Sequence, residues 1–224
     1  MYTLAFDTTG GGCSIVLLKN EQLLDIFEKC SEFGQAEILM PQIKKILEKN
    51  NILFEEIEAL FVCIGPGSFT GVRSGIAAAK VFDLAIPRLT VGGVSAFEAY
   101  KQLFEEQELA EINAVIIETR RDDFYVQLFD KKLKEITESE VLTHDELLKK
   151  LKTQGVDVSL CGDGVERFLS KPSGLTLHAI KLEKMVPIKS LALAGLKMLK
   201  DKKINYPKPL YLRAPEVSVP KDRG

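Results

Sequence analysis

The sequence predicts an α/β protein made of two tandem lobes, each a β-sheet covered by helices. Apolar runs typical of strands alternate with runs of helical periodicity. The opening pattern of strand, acidic residue with threonine, polar turn and strand returns about half a chain later, with Glu118-Thr119 in the place of Asp7-Thr8. A chain of 224 residues suits two small lobes or one mid-sized unit. Hairpins are common, but a repeat near mid-chain favours two lobes, 1–104 and 105–224.

Composition and charge exclude several classes of protein. Apolar residues make up 46% and charged residues 28%, as expected of a folded globular chain rather than a disordered one. The formal charge of −2 gives no global attraction to nucleic acid or to anionic membrane, so any RNA contact must be local or made through a partner. The chain shows neither a signal-peptide pattern nor a long apolar span, and we expect a cytoplasmic protein without membrane contact.

The cysteines and histidines do not form a recognisable metal motif. The four cysteines are widely scattered, without a C-x-x-C pair, which favours reduced thiols. The two histidines, His144 and His178, are far apart and form no His-x-x-x-His pair. We therefore predict no metal site.

The first half contains a hairpin and three helices. "TLAFDTTGGGCSIVLLKN" predicts two strands joined by a Thr/Gly turn. Residues 35–50 carry an apolar helical stripe interrupted by Pro41, and "IEALFVCIG" is a buried strand followed by a helix from Val72 to Ala85. After the short strand "LTVGG", Ser95 is placed to cap a third helix.

The second half begins with the repeated hairpin. Thr143 to Glu146 form a capping box, which makes His144 an exposed residue of a first helical turn. "VDVSLCGDGVERFL" predicts a strand, a turn and a helix. A late helix at about 190–203, capped by Ser190, can pack back on the first lobe, and the proline-rich tail is expected to run extended across the body.

The stretch "IGPGSFTGVRSG" is the most distinctive motif. Its loop, Gly65, Pro66, Gly67, Ser68, Phe69, Thr70 and Gly71, lies between strand and helix, where backbone N–H groups can hold phosphate. However, it lacks the Gly-Lys-[Ser/Thr] of a P-loop, and threonine stands in the last position of a G-x-G-x-x-G fingerprint. A structural turn is favoured over a phosphate site.

The helix after this loop is apolar on nearly all sides. Only a narrow charged strip, Arg73, Lys80 and Asp83, interrupts it, so more than one side must be covered. A neighbouring helix of the same chain and a partner subunit are both possible covers.

Asp7, Thr8 and Thr9 end the first strand, where a carboxylate can position hydrated magnesium and hydroxyls can contact phosphate. A turn-stabilising hydrogen bond is the commoner role of such residues. No G-x-S-x-G elbow or nucleophile–base pair is evident, and we predict no catalytic residue.

Together these motifs resemble one family. "LAFDTT", "EILMPQIKKIL", "GPGSFTGVRSGIAAAK", "VGGVSAFEA", "ETRRDDFYVQLFD" and "PLYLR" are similar, in order and over nearly the whole chain, to the bacterial TsaB family, also called YeaZ. The resemblance implies the actin-like fold of sugar kinases and Hsp70, the ASKHA or ribonuclease H-like class.

The resemblance also implies a role and partners. Members act in making N6-threonylcarbamoyladenosine in tRNA as non-catalytic partners of a TsaD-like transferase. They pair with it as a heterodimer, form a homodimer when alone, join a TsaE-like ATPase in a larger complex and meet tRNA indirectly. No cofactor is expected, with ATP and Mg²⁺ possible only at a shared interface.

The resemblance further assigns a docking surface to the two long helices of the first lobe. Glutamate at Ala78 or Ala79 is expected to leave a folded monomer that no longer pairs. The residues assigned to the surface are Ala36, Leu39, Met40, Ile43, Phe69, Arg73, Gly75, Ile76, Ala78, Ala79 and Phe82.

Two rival functions follow from the same residues. An active phosphotransferase would use Asp7 near magnesium and the glycine turns, including Gly162-Asp163-Gly164, around nucleotide. A peptidase, suggested only by analogy within the superfamily, lacks a nucleophile–base pair.

Overall fold

The computed structural model describes residues 1–30, 35–105, 107, 109–180 and 183–213. Within helix α1, the side chains of Gln35 and Ala36 lie outside that description.

The first lobe contains a five-stranded mixed sheet. Its strands are β1 (Tyr2–Asp7), β2 (Gly12–Lys19), β3 (Gln22–Cys30), β4 (Ile57–Cys63) and β5 (Thr90–Val94). The order across the sheet is β3-β2-β1-β4-β5, in which β1, β2 and β3 pair antiparallel and β4 and β5 join parallel to β1. The predicted first hairpin is therefore confirmed.

The second lobe contains a sheet of the same design. Its strands are β6 (Ile112–Glu118), β7 (Asp123–Asp130), β8 (Glu140–Thr143), β9 (Val158–Cys161) and β10 (Leu177–Ala179). The order β8-β7-β6-β9-β10, with the same pattern of antiparallel and parallel pairs, reproduces the first sheet strand for strand. The repeat inferred from Asp7-Thr8 and Glu118-Thr119 is thus a repeat of topology, and the predicted α/β class with two lobes is confirmed.

Six α-helices of the described residues cover the sheets. They are α1 (Gln35–Lys49), α2 (Phe69–Ala85), α3 (Ala96–Lys101), α4 (His144–Lys152), α5 (Val165–Leu169) and α6 (Ile188–Lys200). Helices α1 and α2 share a core with one face of the first sheet, and α4 and α5 with one face of the second. Helices α3 and α6 lie in a third core that includes residues of both sheets. Ring atoms of Phe61 come so close to Gly195 that a Cβ there would lie 2.4 Å from them, which fixes α6 against the first sheet.

Local capping explains where three of the six described helices begin. Ser95 Oγ accepts the N–H of Glu98 at 3.1 Å, and Thr143 and Glu146 form the predicted capping box. Ser68 caps α2, which starts at Phe69 and not at Val72.

Two local predictions are wrong. Ser190 does not cap α6, because the helix begins at Ile188 and Leu191 N–H already donates to the Pro187 carbonyl. His144 is buried, not exposed: its Nε2 lies 3.2 Å from the Phe168 carbonyl oxygen and its ring packs on the Phe168 ring. A capping box does not reveal which first-turn residue faces the core.

In the described part of the chain, no helix combines the length and apolarity needed to cross a bilayer.

Candidate functional site

A cleft of about 610 Å³ opens between the two lobes. Its walls come from the two hairpin tips, the start of α2, the turn between β9 and α5, and the tail. The residues that line it include Thr9, Gly67, Phe69, Glu118, Arg120, Asp163, Tyr211 and Arg213.

The Asp7-Thr8-Thr9 turn satisfies its own polar groups. The Asp7 carboxylate accepts hydrogen bonds from the N–H and the hydroxyl of Thr9, at 2.8 and 2.6 Å. Thr8 Oγ1 donates to the carbonyl of Gly71 at 2.7 Å. All three residues are buried, and of the three only Thr9 lines the cleft. The sequence allows two roles for these residues, phosphate binding and stabilisation of the turn. The observed hydrogen bonds are those of turn stabilisation.

The glycine loop packs against this turn. A Cβ at Gly67 would lie 2.3 Å from the Thr9 carbonyl oxygen, and one at Gly75 would lie 2.8 Å from Thr8 Oγ1. Ser68 N–H donates to the Thr9 carbonyl at 2.8 Å. The two motifs that the sequence separates by about sixty residues therefore form one packed unit. The spacing of Gly71 and Gly75, one turn apart on α2, is the sequence signal for this close approach.

Among the remaining loop residues, Gly65 also bonds within the chain. Gly65 has a φ of 105°, in the region that favours glycine, and its carbonyl accepts the N–H of Ala96. Pro66 is buried and Thr70 is exposed. These contacts support the structural interpretation of the loop.

Burial shifts the pKa of two carboxyl groups at the cleft. Burial raises the pKa of Asp7, and the hydrogen bonds from Thr9 oppose this rise only in part. Burial also raises the pKa of Asp163 to about 7, although the Glu118 N–H, 2.9 Å away, favours its charged form. Burial therefore disfavours the charged form of both carboxyl groups.

The second hairpin tip is held by arginines. Both carboxylate oxygens of Glu118 accept bonds from Arg167, each at 2.7 Å, and Arg167 also donates to the Asp123 carbonyl. The guanidinium lies 3.8 Å from the centre of the Phe124 ring. Arg213 in the tail forms an ion pair with the Asp123 carboxylate. Neither contact was predictable from the sequence, because both arginines are far from the hairpin in the chain.

Among the described residues no group of three or more His, Cys, Asp and Glu side chains is placed to hold a metal ion.

The comparisons with known proteins converge on one family. The family model described as "TsaD: tRNA N6-adenosine threonylcarbamoyltransferase" matches residues 34–220. The tRNA threonylcarbamoyladenosine biosynthesis protein TsaB of Escherichia coli is 29% identical, over 95% of both chains. The chain belongs to this family as a TsaB (YeaZ) member.

Solved structures agree on the fold. YeaZ from Pseudomonas aeruginosa superimposes with a TM-score of 0.75 at 21% identity, over 94% of this chain and 99% of that one. The activator of the 2-hydroxyisocaproyl-CoA dehydratase from Clostridium difficile, solved with bound ADPNP, gives a TM-score of 0.52 at 11% identity, over 91% and 97%.

The docking residues that the resemblance implied differ in exposure in the structure of this TsaB-family chain. Ala36 lies outside the described side chains. Six others are buried in the core between α1, α2 and the first sheet, where no partner can touch them in this conformation: Leu39, Ile43, Gly75, Ile76, Ala79 and Phe82. Of the rest, Arg73 and Met40 are exposed, and Phe69 and Ala78 are half-buried.

The outer side of α2 carries apolar residues that the implied set lacks. Leu84 is 88% exposed and Val81 59% exposed, and Ala77 is exposed one turn before Val81. With Arg73 they follow one side of the helix at intervals of three to four residues. We call Arg73, Ala77, Val81 and Leu84 the α2 stripe.

Proposed function

We propose that this chain is the non-catalytic subunit of a tRNA-modifying complex that makes N6-threonylcarbamoyladenosine, and that it acts by docking a TsaD-like transferase. The curated relatives named TsaB and the match to the TsaD family model support the pathway. In this proposal the complex works in the cytoplasm, and a TsaE-like ATPase and tRNA meet it through the larger assembly.

The α2 stripe is the observation that supports docking. A leucine at 88% exposure beside a valine at 59% presents a contiguous apolar surface rather than a scattered one. On α1, Met40 is 41% exposed and adds a flexible apolar side chain. A surface of this kind is stabilised when a second helical surface covers it. The partner is the TsaD-like subunit, and a second copy of this chain takes its place when the protein is alone.

The cleft supports an accessory role. The Asp7 carboxylate is occupied by Thr9, and Glu118 by Arg167, so the acidic groups nearest the hairpin tips already have partners. In the proposal, ATP and Mg²⁺ bind only where the catalytic subunit supplies further ligands.

The experiment is reconstitution with variants of the α2 stripe. Val81→Glu and Leu84→Glu place a charge on an exposed side of α2, so the fold should persist while docking is lost. Val156→Glu is the matched control, because Val156 is an exposed apolar residue of the second lobe. We expect the two α2 variants to lose copurification with the TsaD-like subunit and to abolish nucleoside formation, measured by mass spectrometry.

Two results would contradict the proposal. One is full activity and copurification of both α2 variants. The other is threonylcarbamoyl transfer, or rapid ATP turnover, by the isolated chain.

A further inference from the structure

The tail from 204 to 213, which we call the strap, first runs along the edge of the first lobe. Asn205 carbonyl accepts the N–H of Gly93 on β5 at 2.9 Å. Ile204 fits against Gly92 so closely that a Cβ at position 92 would lie 2.3 Å from its side chain. Tyr206 hydroxyl then donates to the Asp83 carboxylate on α2 at 3.0 Å.

The strap next passes the start of α2. Leu210 N–H donates to the Ile64 carbonyl at 2.8 Å. The Tyr211 ring lies 5.0 Å from that of Phe69, and its hydroxyl accepts a hydrogen bond from Arg73 Nε at 3.2 Å. Arg73 in turn stacks on Phe69, 3.8 Å from the ring centre. The strap thus flanks α2 from Asp83 to Phe69.

The far end of the strap crosses to the second lobe. Leu210, Tyr211 and Arg213 line the cleft, and Arg213 pairs with Asp123 at the second hairpin. One extended segment therefore contacts β5, the α2 stripe and the opposite wall of the cleft.

We propose that the strap couples docking on α2 to the separation of the two lobes. Tyr206 and Tyr211 are 47% and 39% exposed beside the α2 stripe, so a partner seated there also contacts the strap. Because Arg213 anchors the same segment to the second lobe, a shift of Tyr211 changes how firmly the cleft is held closed. The docking step of this inference rests on the proposed function, whereas the role of Arg213 in holding the two lobes together does not.

The first test measures lobe separation in the isolated chain. Spin labels are attached to cysteines introduced at two exposed positions, Glu28→Cys on β3 and Lys149→Cys on α4. The exposed Cys30 is replaced by serine, and the other three cysteines are buried. Arg213→Asp sets two acids against each other, and we expect the interlobe distance distribution from pulsed EPR to widen and to shift to longer distances. Adding Asp123→Arg reverses the ion pair and should restore the narrow distribution. The hairpin turn should survive this change, because Thr119 Oγ1 can still donate to the backbone carbonyl of residue 123.

Lys200→Ala is the matched control, because it removes an ion pair with Glu21 and neither of these residues lines the cleft. It should leave the distribution unchanged. An unchanged distribution in folded Arg213→Asp means that the strap does not hold the lobes. If that variant does not fold, Arg213→Gln, which removes the guanidinium group without adding an acid, gives the same comparison.

The second test adds unlabelled TsaD-like subunit to the labelled chain that retains Asp123 and Arg213. Formation of the complex is followed by size-exclusion chromatography. Coupling requires the interlobe distance distribution to shift when the complex forms. A complex without any shift overturns the coupling and leaves the docking function intact. Failure to form a complex overturns the docking function and the coupling with it, while the first test still decides the role of the strap.

Discussion

A Cβ atom at position 71 would lie 1.9 Å from the carbonyl oxygen of Thr8. The first turn of α2 and the tip of the first hairpin are therefore in backbone contact, and only glycine permits it. Neither backbone can move freely, since Thr8 Oγ1 also bonds to the Gly71 carbonyl. The glycine loop joins two elements of the first lobe at the wall of the cleft.

Gly71→Ala tests this contact. The added methyl must push α2 away from the hairpin, and we expect a loss of about 3 kcal/mol in the free energy of unfolding, measured by urea titration. Gly11→Ala in the same hairpin turn is the control, because its Cβ would meet nothing closer than 3.6 Å. Equal stability of the two variants would show that the turn tolerates separation from α2.

Ala79→Glu and Ala78→Glu should behave differently. Ala79 is fully buried in the core under α2, and a carboxylate there is desolvated without a partner, so we expect that variant to unfold or aggregate. Ala78 is only half-buried, so Ala78→Glu should fold and fail in docking. The sequence-based expectation of a folded monomer therefore stays a prediction for Ala78 and is revised for Ala79. Circular dichroism and copurification separate the outcomes, and a folded Ala79→Glu chain would contradict the assigned burial.

The raised pKa of Asp163 predicts a pH dependence of stability. Its pKa moves from 3.8 to about 7 on folding, so between these values the folded state binds more protons than the unfolded state. Stability therefore falls as the pH rises from about 4 to about 7, by at most about 4 kcal/mol and by less where the cleft admits water.

Asp163→Asn should remove this dependence. The amide oxygen can still accept the Glu118 N–H, so the variant should match the unmodified chain near pH 4 and exceed its stability near pH 8. Asp122→Asn, exposed on the second hairpin, is the control. Urea midpoints that change equally with pH in the Asp163→Asn variant and its parent would rule out Asp163 as the source.

The fold was predictable where the signal is local. The strand, turn and strand pattern around Asp7 and again around Glu118 revealed the two hairpins, and Ser95 and Thr143 marked helix starts. Each signal depends on neighbours a few residues away, so it can be recognised without knowing the topology.

The site was less predictable because its contacts join distant segments. Arg167 meets Glu118 across 49 positions, and Tyr211 meets Arg73 across 138. The pattern of α2 showed that several sides were apolar, but not that Ile76 and Phe82 face the chain's own core while Leu84 stays outside. Such choices follow from the packing of whole elements, which periodicity does not specify.

Arg167→Lys tests how the second hairpin wall is held. Arginine binds both oxygens of Glu118, donates to the Asp123 carbonyl and stacks on Phe124, whereas a lysine ammonium offers neither the paired geometry nor the planar face. Because the Arg167 side chain is partly exposed, we expect a loss of only about 1 kcal/mol in unfolding free energy. Arg88→Lys, at an exposed position outside the cleft, is the control. Hydrogen exchange at the Arg120 amide, which donates to Glu118, should accelerate in Arg167→Lys alone. Identical exchange in both variants would mean that the tip keeps its shape without the arginine fork.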